Sequence, residues 1–95
     1  MAKGYVIARA IVTDTEAWAG YAKLASAAMA KYGGTPIVRG GRCEVAEGEG
    51  RARNVVIEFA SFDEARAYAH SPEYAEARAA RIGAGTIDIV VVEGA

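Results

Sequence analysis

Ninety-five residues suffice for one domain that buries roughly 60–70% of its unfolded surface. The formal net charge is −1 with both signs spread along the chain, which leaves no field to attract nucleic acid or an anionic membrane. Hydrophobic residues make up 53%, but alanine supplies 22 of them, so help from an oligomer interface is expected.

One cysteine, Cys43, excludes an internal disulfide and fits a reducing cytosol. The apolar run from Tyr5 to Val12, interrupted by Arg9, is too short and too polar for a signal-peptide core or a membrane span. The expectation is a soluble cytoplasmic protein with a single domain over residues 1–95.

That first run alternates Tyr5, Ile7, Arg9 and Ile11 with Val6, Ala8, Ala10 and Val12, as a strand does. Asp14 is placed to cap a helix that reaches about Tyr32, with Trp18, Tyr21, Ala25, Ala28, Met29 and Tyr32 as its buried stripe. Gly20 inside it implies close packing there, and Gly33-Gly34 ends it. A second strand is expected over about Thr35 to Val45, a hairpin turn over Ala46 to Arg51, and a third strand over Asn54 to Phe59. Ser61 to Glu64 reads as a capping box opening a short helix. His70-Ser71-Pro72 breaks it and starts another, which Gly83 and Gly85 end. Thr86 to Val92, rich in β-branched residues, is the last strand.

The order strand-helix-strand-strand-helix-strand predicts an α+β, ferredoxin-like βαββαβ sandwich with a four-stranded antiparallel sheet. Right-handed crossovers put the first and third strands in its centre. Parity sends Val6, Ala8, Ala10, Val12, Val55, Ile57 and Phe59 towards the helices. The opposite face carries Tyr5, Ile7, Arg9, Ile11, Val56 and Glu58, with Arg39 joining unless Gly40-Gly41 bulges its strand. That face has no cover, so a second copy is expected to close it.

Gly33-Gly34, Val38-Arg39-Gly40-Gly41, Val56-Ile57-Glu58-Phe59, Ser71-Pro72-Glu73-Tyr74 and the closing Val91-Val92-Glu93-Gly94 resemble the domain of unknown function 1330 family. The likeness covers nearly the whole chain. It implies membership of the dimeric α+β barrel superfamily, in which two ferredoxin-like subunits press their open sheet faces together. It therefore implies a homodimer. The superfamily spans cofactor-free monooxygenases, haem enzymes, isomerases, stress proteins and ligand-binding regulators, so the resemblance implies no particular reaction.

Arg9, Arg39 and Glu58 are candidate site residues if they share the open face, where an unpaired charge costs several kcal/mol. Either arginine is a candidate carboxylate clamp, and a desolvated Glu58 would have a raised pKa suited to a base. The alternative is a Glu58–arginine pair that only sets the dimer register. His70, the one histidine, is a second candidate acid or base, or else a polar helix-corner residue. Tyr5 and Tyr74 are candidate ligand contacts, and with Trp18, Tyr21 and Tyr68 they form either an aromatic pocket or ordinary core.

Metal and cofactor binding are not expected. His70 and Glu73 lack a second histidine or a cysteine cluster, Cys43 has no activating partner, and no phosphate-binding glycine fingerprint occurs. The third strand also lacks the aromatic positions of RNA-binding domains with this strand order. Two readings remain: a cofactor-free enzyme or binder of a small acidic or aromatic metabolite in the barrel cavity, or a non-catalytic dimer whose charges stabilise the interface.

Overall fold

The computed structural model describes residues 2–95. In chain order its elements are β1 (Gly4–Val12), α1 (Thr15–Lys31), β2 (Thr35–Arg39), β3 (Arg53–Phe59), α2 (Phe62–Ala69), α3 (Pro72–Ala80) and β4 (Gly85–Glu93). The strands form one antiparallel sheet in the order β2-β3-β1-β4, with β1 and β3 central as expected.

Each helix starts where a side chain can satisfy a free backbone N–H. Asp14 Oδ1 accepts from the Ala17 amide at 3.1 Å, Ser61 Oγ from Glu64 at 3.2 Å, and Ser71 Oγ from Tyr74 at 3.0 Å. Ser71 is itself buried and donates its hydroxyl proton to the Tyr68 carbonyl at 2.7 Å, which ties α3 to the end of α2. Gly33, at φ +77°, takes the left-handed position just past α1. At Gly34 the need is space, because a Cβ would stand 2.7 Å from the Phe59 ring.

The core lies between the helices and one face of the sheet. Val6, Ala10, Ile57 and Phe59 meet Trp18, Tyr21, Ala65, Tyr68, Tyr74 and Ala77 there. Small residues on β1 and on α2 and α3 let the layers approach, and the four helix aromatics Trp18, Tyr21, Tyr68 and Tyr74 pack between them. Gly20 has no part in this packing: nothing lies within 4 Å of the position its Cβ would occupy, and it faces solvent.

The second strand is shorter than its alternation implies. It stops at Arg39, and residues 40–52 run as an exposed loop rather than as a strand continued into a tight turn. Gly40 turns the chain at φ +66° while its amide donates the last ladder bond, to Asn54 O at 2.8 Å. The loop is held by side chains instead. Arg9 donates to the Glu49 carbonyl at 3.3 Å, and Arg51 reaches Thr86 at 3.2 Å and Asp88 at 2.9 Å.

A bulge also lies earlier than Gly40-Gly41. Pro36 stands opposite Ile57 and Val38 opposite Val56, so Ile37 is the extra residue. Pro36 has no amide proton to give the ladder, which favours an irregularity on this edge strand. The extra residue inverts the parity of the rest of the strand and places Arg39 opposite Val55, on the helix side.

Candidate functional site

Between the helices and the sheet lies a cavity of about 440 Å³, within the range that holds small-molecule ligands. Its floor is apolar, made by Val6, Ala8, Ala10, Val55, Ile57 and Ile89. Trp18, Tyr21, Tyr68 and Tyr74 form the aromatic wall. Trp18 meets Tyr21 edge-on with centroids 5.1 Å apart, and Tyr68 and Tyr74 lie 5.3 Å apart. The hydroxyls of Tyr21 and Tyr74 are 2.7 Å apart in the buried interior. Burial, reinforced by Tyr74, pushes the Tyr21 phenol far above its usual range, and burial does the same to Tyr68.

Every charged residue lining this cavity is basic. Arg39, Arg53, Arg66 and Arg78 contribute to it together with His70, and no aspartate or glutamate does. Arg39, Arg66, His70 and Arg78 are exposed and mark the mouth, while Arg53 is half-buried. None of the four arginines pairs with a carboxylate among the described residues; the ion pairs are Lys3–Glu58, Lys31–Glu73 and Arg51–Asp88. Arg39 donates to Ser26 Oγ at 3.1 Å, and Arg78 stands over the Tyr74 ring at 5.4 Å. These placements leave guanidinium N–H donors at the mouth of an apolar chamber, an arrangement suited to a carboxylate or another small anion.

The candidate residues therefore divide between the two faces of the sheet. Arg39, His70 and Tyr74 lie together at the helix-side cavity, whereas Tyr5, Arg9 and Glu58 lie on the open face. The expected grouping of Arg39 with Arg9 and Glu58 does not form, because of the bulge at Ile37. Nor is Glu58 a carboxylate of raised pKa or a partner of arginine. Lys3 Nζ donates to it at 3.0 Å and Tyr5 Oη at 3.1 Å, and the lysine bond first of all holds its carboxyl below the usual range, which suits an ion-pair anchor rather than a base.

Arg53, Arg66 and Arg78 were not among the sequence-derived candidates, although each had a spacing signal. Arg53 shares strand parity with Val55 and Ile57, Arg66 stands one helical turn before His70, and Arg78 one turn after Tyr74. Among the described residues no cluster of three or more histidine, cysteine, aspartate or glutamate side chains is positioned to hold a metal ion. Among the same residues no helix is long and apolar enough to cross a membrane.

The model of the family described as Domain of unknown function (DUF1330) matches residues 3–95. The chain belongs to this family. No curated protein sequence matches it. Among solved structures, a similar fold recurs in a protein of unknown function from Rhodopseudomonas palustris, with TM-score 0.74, 17% identity, and coverage of 96% of this chain and 81% of that one. A dimeric protein of unknown function and ferredoxin-like fold from Bacteroides fragilis gives TM-score 0.63 at 16% identity, covering 96% and 95%. A variant of SnoaB, a cofactor-independent oxygenase from Streptomyces nogalater, gives TM-score 0.60 at 15% identity, covering 95% and 90%. At these identities the likeness establishes the ferredoxin-like fold of this DUF1330 protein.

Proposed function

We propose that this DUF1330 protein is a homodimer whose protomers each bind a small organic anion with an apolar or aromatic body in the helix-side cavity. The observation that carries the reading is the all-basic charge of an otherwise apolar chamber. A guanidinium bonded to a carboxylate contributes more than a neutral hydrogen bond. The cavity wall takes the rest of the ligand. His70 supplies an imidazole at the mouth for any proton transfer, so cofactor-free acid–base chemistry on the bound anion is the reaction class that fits. The oxygenase activity of SnoaB, on the same fold, is compatible with a cofactor-free role here but names no reaction for this chain.

The homodimer rests on the open face of the sheet. Ile11, Val38, Val90 and Val92 are exposed there, beside half-buried Tyr5 and Ile7. Exposed apolar side chains on one sheet face call for a partner, and the Bacteroides fragilis neighbour is dimeric. Isologous pairing would bury this face and leave the helix-side cavity in each protomer open to ligand. On this reading Glu58, Lys3 and Tyr5 serve the interface. An unpaired, exposed Cys43 suits a cytoplasmic setting.

Titration calorimetry with phenylacetate and its neutral isostere phenylacetamide tests the ligand reading. The carboxylate should bind at least about tenfold more tightly, from the worth of a charge-assisted hydrogen bond. Equal affinities, or no heat from either compound, would overturn it.

A further inference from the structure

The aromatic wall holds hydroxyl protons that the protein does not use. Tyr21 and Tyr74 are buried, and their hydroxyls bond only to each other, at 2.7 Å. Two phenols carry two protons, and one mutual bond consumes one of them. The second has no acceptor among the described residues. Tyr68 packs against Tyr74 with centroids 5.3 Å apart, and its hydroxyl, without a hydrogen-bond partner there either, is open to the cavity, since Arg81 Nε is the one fully buried unpartnered side-chain atom among the described residues. All three residues line the same cavity. O–H groups that face a cavity without a protein acceptor are free to donate to whatever fills it, so two unspent hydroxyl protons beside an apolar chamber fit an acceptor that arrives with the ligand.

We propose that Tyr68 and the Tyr21–Tyr74 pair form a two-donor seat for a second ligand oxygen, so that the ligand is a carboxylate whose apolar body also carries a phenolic, enolic or carbonyl oxygen. This rests on the anion-binding reading of the cavity and extends it. The arginines at the mouth take the carboxylate, and the wall takes the other oxygen. Burial keeps the Tyr21 and Tyr68 phenols protonated, so they act as donors rather than bases. Two fixed donors favour the ionised form of a phenol or enol, as preorganised donors do wherever negative charge develops on oxygen. The seat therefore activates such a ligand towards chemistry at the adjacent carbon.

The test compares 3-nitrophenylacetate with 4-hydroxy-3-nitrophenylacetate, whose phenolate absorbs in the visible. The hydroxylated probe should bind at least about tenfold more tightly, and its phenol should ionise at lower pH when bound than when free. Tyr68→Phe and Tyr74→Phe should each shrink both differences, weakening the hydroxylated probe more than 3-nitrophenylacetate. Arg66→Gln should weaken both probes alike. Equal binding of the two probes to the unaltered protein would overturn the two-donor seat and leave the anion reading standing. Failure of both probes to bind would overturn both.

Discussion

The two faces of the sheet treat charge in opposite ways. On the open face the carboxylates are paired: Glu58 takes bonds from Lys3 and Tyr5, and Asp88 meets Arg51. On the helix side four arginines and a histidine line an apolar cavity with no carboxylate among them. A paired charge has its partner within the fold, and its removal leaves a gap in a structural network. A cluster of like charges around an apolar cavity finds no partner in the fold, and on the proposed reading a small anion meets it there. The difference separates charges satisfied within the fold from charges that have no carboxylate partner among the described residues.

Substitutions on the two faces should separate the roles, beginning with the largest effect. Phe59 is 1% exposed and sits at the centre of the helix-side core, so Phe59→Ala should destabilise the protomer by about 3–5 kcal/mol in urea unfolding. Val90 is 54% exposed within one protomer, so Val90→Asp should leave the protomer folded. In a symmetric interface it buries two new charges, and the dimer dissociation constant from sedimentation equilibrium should rise by about 100-fold or more. An unchanged constant would remove Val90 from the interface.

Arg66→Gln and Arg78→Gln should each weaken binding of phenylacetate by about tenfold, without moving the dimer equilibrium. The tie between α1 and α3 supplies a smaller, pH-dependent effect. Lys31 and Tyr32 donate to Glu73 and, with the backbone, hold its carboxyl at about 2, against 4.5 for the free group. A depressed carboxylate contributes stability above the unfolded value, which is lost as pH falls through the folded one. The thermal midpoint should therefore decline between about pH 4.5 and 2, and Glu73→Gln should flatten that part of the profile.

Glu58→Gln should have the least effect on the ligand. Its partners Lys3 and Tyr5 lie on the open face, so ligand affinity should stay unchanged, while the weakened contact should loosen the dimer by less than Val90→Asp does. Loss of ligand response in this variant would move the site to the other side of the sheet.

The strand order and the face assignments of β1 and β3 were legible in the sequence, because a period of two assigns each side chain a side. The fate of Arg39 was not. A single unpaired residue at Ile37 inverts strand parity, and alternation across Thr35 to Val45 carries no mark of it beyond Pro36. The location of the cavity was also missed. Parity tells which side chains share a face but not how far the helices stand from it, and that distance depends on how Trp18, Tyr21, Tyr68 and Tyr74 pack. The open face stands out in the sequence because it lacks cover, although its carboxylates Glu58 and Asp88 are satisfied within the fold. The helical spacing of Arg66 with His70, and of Tyr74 with Arg78, was the available signal for the covered side.

The most direct test of the two-face account is a map of backbone amide shifts in a proton–nitrogen correlation spectrum during titration with phenylacetate. The account predicts perturbations concentrated at Arg53, Arg66, His70, Tyr74 and Arg78, with Tyr5, Glu58 and Val90 unmoved. Perturbations centred on the open face, or no perturbation anywhere up to the solubility of the ligand, would contradict it.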